Sequence, residues 1–190
     1  MRGLSTQDLS PRKGPVVMIT LCQTIVFESP IGQVRVTETD GFVAAIGIGT
    51  IRQEESDQVL LRKDYTPNRG KTEVLREAET QLAEYFSGRR RDFSFPFLLD
   101  GTAFQKAVWR ILLKIPYGET RSYSEVAGAV GCRKGARAVG QAVGANRLPI
   151  LIPCHRVIAA DGGLGGFGCG LDVERFLLRL EREHAADATH

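Results

Sequence analysis

The sequence predicts an α/β N-terminal half, a small antiparallel sheet with one helix, followed by a mostly α C-terminal half with a helix-turn-helix and a distinctive cysteine segment. Three observations predict it. β-branched runs separated by turn residues fill the start of the chain. Two capping boxes open helices after residue 100. An apolar run then ends abruptly in Pro153-Cys154-His155-Arg156. These features divide the chain into a flexible tail (1–14), an α/β domain (15–95), a linker (96–100), a second domain (101–184) and a short polar tail (185–190).

Residues 18–27 and 33–37 are rich in β-branched side chains and separated by Ser29-Pro30, so they read as strands around a turn. Residues 41–46 continue the meander. Leu75, Ala78, Leu82 and Phe86 recur at helical spacing over 72–86, and Ser87-Gly88 ends that helix. Thr102-x-x-Gln105 opens the next helix, whose expected apolar face is Phe104, Ala107, Val108 and Ile111. After Pro116-Tyr117-Gly118, Ser122-x-x-Glu125 caps a short helix over 123–130, stopped by Gly131. A further helix over 134–144 completes the helix-turn-helix. At about 100° per residue, Ala138, Val139, Ala142 and Val143 face inward, whereas Arg137, Gly140, Gln141 and Gly144 face outward. Asp172 is placed as N-cap of a last helix reaching Glu183, with Val173, Phe176, Leu177 and Leu180 as its buried stripe.

The chain of 190 residues has a formal net charge of +3, unevenly spread. From 101 to 158 there are nine Lys/Arg (Lys106, Arg110, Lys114, Arg121, Arg133, Lys134, Arg137, Arg147, Arg156) against Glu119 and Glu125, so that segment carries +7 and the rest −4. Such a segment suits a polyanion, because phosphate contacts release counterions; a solvated surface with a chance excess is the plainer alternative. The four cysteines are widely spaced without a C-x-x-C, which fits reduced thiols in the cytosol. The three histidines lack zinc-ligand spacing, and the run 16–22 is too short to span a bilayer.

Residues 149–152 have the apolar character of a buried strand, and a thiol, an imidazole and a guanidinium follow at once. Cysteine reacts as thiolate, a form favoured by a neighbouring base or positive charge, and His155 and Arg156 supply both. The plainer alternative is a buried cysteine followed by a solvated His-Arg pair. Glu181, at the edge of the last helix's stripe, is either a solvated residue or the partner of a buried base. The outward face of helix 134–144, one arginine among very small residues, suits close approach to a nucleic-acid groove; an ordinary exposed arginine is the alternative. Residues 163–168 match G-x-G-x-x-G literally, but no second strand follows, so a flexible loop is the better reading than a dinucleotide fingerprint.

Together, Tyr117-Gly118-Glu119-Thr120-Arg121-Ser122-Tyr123, Ala136-Arg137-Ala138-Val139-Gly140 and the run 146–157 resemble the O6-alkylguanine-DNA alkyltransferases (methylated-DNA–protein-cysteine methyltransferases). The I-P-C-H-R-V setting is the most specific of the three. The resemblance implies DNA repair by a stoichiometric S-methyltransferase: the alkyl group of O6-alkylguanine, with O4-alkylthymine as a further substrate, passes irreversibly to Cys154. It implies His155 as general base acting through a water, Glu181 as the carboxylate holding the imidazole, and Asn146 as brace of the turn presenting the thiol. Tyr123 would protonate the departing guanine. Arg137 would replace the flipped base, with Ser122, Tyr123, Ala136, Gly140, Gln141 and Arg156 completing the DNA contacts. Val157, Phe167 and Gly168 would line the base pocket. Gly168 and Cys169 stand where some relatives carry a hydroxyl residue, which leaves a backbone N–H to serve the guanine oxygen there. The same resemblance implies no cofactor or metal, a monomer on double-stranded DNA with cooperative assembly as an alternative, and a cytoplasmic protein, nucleoid-associated in a prokaryote or nuclear in a eukaryote. Two other classes remain: a non-reacting reader of alkylated guanine, against which Cys154 argues, and a Cys-His-Glu hydrolase, which would turn over.

Overall fold

A computed structural model describes residues 22–49, 71–164 and 168–186. The expected N-terminal tail, the first residues of the expected first strand (18–21), Phe167 and residues 187–190 of the expected C-terminal tail lie outside them.

Three strands, β1 (Cys22–Ser29), β2 (Gly32–Thr39) and β3 (Phe42–Ile48), form an antiparallel meander in the order β1-β2-β3. Asp40 and Gly41 join β2 to β3 with φ of 50° and 84°, the double left-handed geometry whose twist matches a tight hairpin. Helix α1 (Glu73–Phe86) covers the sheet. Thr72 caps it, accepting from Leu75 N and donating to Glu38 Oε2 at 2.8 Å, which ties the helix start to the sheet. Leu75, Ala78, Leu82 and Tyr85 are buried with Val34, Val36, Val43 and Ile46. The expected small sheet plus helix is therefore present.

The second half holds α2 (Ala103–Leu112), β4 (Arg121–Ser122), α3 (Tyr123–Ala129), α4 (Ala136–Gly144), a 3-10 turn (Cys154–Arg156), β5 (Val157–Ile158) and α5 (Leu171–Ala186). Both expected capping boxes form with reciprocal hydrogen bonds. Gly131, at φ 76°, ends the α3 side of the turn that leads into α4. Residues of the expected linker pair with the sheet: Val43 N donates to Pro96 O and Leu98 N donates to Val43 O, both at 2.9 Å. Ile46 N also reaches Arg147 O at 2.8 Å, so β3 touches the second half directly. Buried side chains of both halves form one continuous core. Among the described residues no helix is long and apolar enough to cross a membrane.

Four expectations need correction. The buried face of α2 is Val108, Trp109 and Leu112, and Phe104 is exposed. Trp109 turns the helix this way because its Nε1–H donates to Ala142 O at 2.8 Å across the α2–α4 contact. On α4, Val139, Ala142 and Val143 are buried while Ala138 is exposed, a small loss for a side chain with so little apolar area. Asp172 lies inside α5, where its carboxylate pairs with Arg175, and the helix runs on to Ala186. Residues 149–152 form a buried turn and no strand, as the site itself explains.

Candidate active site

Two prolines and an asparagine shape the segment that presents the thiol. Pro149 and Pro153 deny this stretch the amide donors a strand ladder needs. The chain instead reverses, with Ile152 N donating to Leu148 O at 2.8 Å. Ile150 sits at φ 73°, a costly conformation for a β-branched residue, kept by its surroundings. Asn146 clasps the turn from both ends. Its Oδ1 accepts from Leu148 N at 2.9 Å, and its Nδ2 donates to Ile152 O at 2.9 Å and to Cys154 Sγ at 3.1 Å.

Cys154 opens the 3-10 turn and is 6% exposed; His155 beside it is wholly buried. The turn runs straight into β5, which pairs in parallel with β4, setting Arg121 opposite Val157 and Ser122 opposite Ile158. That short ladder seats Tyr123, the first residue of α3, near the thiol. The Tyr123 ring also lies against Gly140, where an added Cβ would sit 3.8 Å from the ring edge.

Glu181 lies at the centre of a buried polar cluster. Its Oε1 accepts from His155 Nε2 at 2.8 Å, Tyr85 Oη at 2.7 Å and an Arg156 terminal nitrogen at 2.9 Å. Its Oε2 accepts from Arg156 Nε at 2.8 Å and Gly118 N at 3.1 Å. Gly118 stands at φ 80°, and an added Cβ there would meet Ala185 Cβ at 2.7 Å, so only glycine allows this approach.

Electrostatics follow from burial. Desolvation favours neutral Glu181, but His155 and Arg156 outweigh it and hold the carboxyl far below its usual range. Burial keeps His155 below the ordinary histidine value despite Glu181. An ionised carboxylate only accepts, so Nε2 of the neutral ring carries the proton and Nδ1 is the basic nitrogen. Burial pushes the Cys154 thiol up to about 12, and the Asn146 hydrogen bond recovers only part of that. Burial thus favours a neutral thiol beside a neutral imidazole, against the thiolate that a neighbouring base and positive charge were expected to favour. Tyr123 is pushed up by burial first, then by Glu174 and Cys154, and stays protonated.

Arg156 requires a second correction. Placed among DNA contacts from sequence, it is 7% exposed, bonded to Glu181 and, through Nη1, to Ile115 O at 2.6 Å, with Tyr117 beneath its guanidinium. A buried pair of this kind is not available to a phosphate. The expected outward face of α4 is a surface: Arg137, Gln141 and Gly144 are exposed, and Ala136 and Gly140 are half-buried. Ser122 is half-buried and its hydroxyl is engaged with Glu125. Val157 is wholly buried, and Gly168 has open space where a side chain would be.

Sequence reading missed Tyr85 and Glu174, and it placed Gly118 in a matching stretch without its bond to Glu181. Tyr85 continues the Leu75–Ala78–Leu82 stripe better than Phe86 does, and a buried phenol demands a partner; that was the available signal. Glu174 lies two turns before Glu181 on the same face of α5 and is 1% exposed. Its Oε2 has no hydrogen-bond partner among the described residues, and burial raises its carboxyl pKa. Among the described residues, no three His, Cys, Asp or Glu side chains converge to hold a metal ion.

A thiol held by an asparagine, an imidazole oriented by a buried carboxylate and a two-helix unit displaying an arginine make an arrangement that suits a cysteine-based group-transfer protein. Residues 22–99 match the family described as "6-O-methylguanine DNA methyltransferase, ribonuclease-like domain", and residues 103–183 its "DNA binding domain". The constitutive methylated-DNA–protein-cysteine methyltransferase of Bacillus subtilis is 42% identical over 159 residues, 82% of this chain and 92% of that one. The crystal structure of Mycobacterium tuberculosis O6-methylguanine methyltransferase superposes with a TM-score of 0.75 at 37% identity, covering 86% of this chain and 94% of that one. The Mycobacterium tuberculosis protein in complex with DNA gives 0.72 at 39% identity, covering 85% and 93%. The chain belongs to the O6-methylguanine DNA methyltransferase family.

Proposed function

We propose that the protein repairs DNA by moving the alkyl group of O6-alkylguanine onto its own Cys154, one group per molecule. The observation that carries this is the Cys154 thiol held by Asn146 next to the buried His155–Glu181 pair. In this reading His155 Nδ1 takes the thiol proton through a water as Sγ attacks the alkyl carbon in line. The S–C bond forms, the C–O6 bond breaks, and its electron pair stays with the base. Tyr123, kept protonated, donates to that base; the proton held by His155 restores the balance. The product thioether is not readily cleaved by base or water, so the reaction stops there. Because Cys154 is pushed up to about 12, its proton must leave as substrate arrives, not before.

A base inside a duplex cannot reach a buried sulfur, so the nucleotide is turned out of the stack. Helix α4 lies in the minor groove, with Arg137 filling the gap and Gly140 and Gln141 beside the backbone. Val157 and Gly168 border the base pocket. The protein works as a monomer on double-stranded DNA, and O4-alkylthymine is a second substrate.

The test is stoichiometry with peptide mapping. Incubated with excess duplex bearing O6-methylguanine, the protein should stop at one equivalent with one methyl group on Cys154. Continued product release, or an unmodified Cys154, overturns the proposal. Arg137→Ala should slow transfer from duplex by about tenfold or more, since base extrusion costs a few kcal/mol, while reaction with free O6-benzylguanine changes little. Equal losses on both substrates would remove Arg137 from the extrusion step.

A further inference from the structure

Glu181 has a donor from the N-terminal half that the transfer steps above do not use. Tyr85, at the end of α1, is wholly buried and donates to Glu181 Oε1 at 2.7 Å. That oxygen also receives His155 Nε2 at 2.8 Å and Arg156 at 2.9 Å, so three donors share its lone pairs. Each added donor withdraws electron density and leaves less basicity for the imidazole. The phenol is a dependable donor, because burial and then Glu181 drive its pKa well above the ordinary tyrosine value. Ring packing fixes where the hydroxyl points: Phe93, Phe86 and Tyr117 surround Tyr85 with centroids 5.6, 5.7 and 6.0 Å away.

We infer that Tyr85 is a positioning residue of the transfer site, through which the N-terminal half sets how strongly Glu181 holds and charges the His155 imidazole. This rests on the reading of His155 as the base that accepts the Cys154 proton. Without the Tyr85 hydroxyl, Glu181 becomes the stronger acceptor and favours imidazolium, so the fraction of neutral, basic His155 falls at a given pH. The other titratable or charged groups around the pair are Arg156 and Cys154 on the 3-10 turn, Tyr117 beyond α2 with Arg91 5.2 Å from its ring centroid, and Glu174 and His184 along α5. The Tyr85 hydroxyl donates to Glu181 and to none of these. The N-terminal half thereby acquires a chemical role in a reaction whose nucleophile and base both lie beyond residue 150.

The experiment measures the pH dependence of Cys154 benzylation by free O6-benzylguanine, so that DNA binding does not enter. Wild type is compared with Tyr85→Phe and with protein carrying 3-fluorotyrosine at position 85, a better donor of nearly the same shape. Tyr85→Phe should move the acid limb of the profile up by roughly half a unit to one unit. The fluorinated protein should move it down. A merely structural tyrosine would shift melting and leave both limbs in place. Coincident profiles, or shifts of the opposite sign, overturn the inference. Should Tyr85→Phe fail to fold, the fluorinated protein decides alone by moving the limb down or leaving it. A wild type that never benzylates Cys154 would instead refute the proposed function, a distinguishable result.

Discussion

Cys154→Ser should remove transfer altogether while leaving a folded protein that still binds DNA. Oxygen replaces a thiol whose pKa burial has already pushed up to about 12, and an alcohol starts higher still. The same desolvation acts on it, and oxygen is the weaker nucleophile toward carbon, so neither step is accessible. Packing changes little, because the substitution is nearly isosteric and Asn146 Nδ2 can donate to a hydroxyl as it does to sulfur. The stability cost should stay near 1 kcal/mol. Arg137 and Gln141, which carry the DNA contacts in the proposed function, are on the exposed face of α4 and do not sense the change. Radiolabelled methyl transfer and a gel-shift titration read the two properties. Methyl transfer in the serine protein, including transfer to Cys169 on the neighbouring loop, would place the nucleophile elsewhere.

Glu181→Gln is expected to damage both stability and rate. The wild-type carboxylate accepts from five donors, and an amide presents a nitrogen where some of them already point. The larger effect is ionic: Arg156 is left buried without its counter-charge, at a cost of roughly 3–5 kcal/mol. For a chain of this size that lowers the melting temperature by about 6–20 °C. The pH dependence has a definite sign. The Glu181 carboxyl in the folded protein lies below its unfolded value, so its stabilisation is full above the unfolded pKa and is lost as pH falls through the folded one. The gap between wild type and Glu181→Gln should therefore narrow in acid. Transfer should slow by about a hundredfold or more, because the amide neither fixes the tautomer nor stabilises imidazolium. Equal stability across pH, or an unchanged rate, would show that Glu181 does not carry this burden.

Much of the helix and hairpin framework was legible because its determinants are local. Both capping boxes are four-residue signals, and both form with the expected bonds. The strand–turn–strand pattern around Ser29-Pro30 and the helix over 72–86 depend on neighbours a few residues away, and appear within a few residues of where they were expected. The remaining differences have two sources, a distant partner in one case and a side chain folding back on its own backbone in another. Trp109 rotates α2 by bonding Ala142, a residue 33 positions on. Residues 149–152 have a strand's composition, yet Pro149, Pro153 and the Asn146 clasp make them a turn.

The candidate site divides in the same way. Chemical identity was readable: a cysteine and a histidine adjacent in sequence, an arginine among small residues, a glutamate at a stripe's edge. Protonation was not, since it depends on how much water remains and which charges are near. Burial favours the neutral forms of Cys154 and His155, and no run of letters states that. Arg156 reads as a surface cation beside a reactive thiol until Glu181, 25 residues later, draws it into the interior. Tyr85 reaches the same carboxylate across 96 residues. Residue types and short-range hydrogen bonds decided what chemistry this chain can attempt. Which groups are charged, which face water and which half of the molecule reaches Glu181 were decided by packing, because desolvation and long-range pairing exist only once the core has closed.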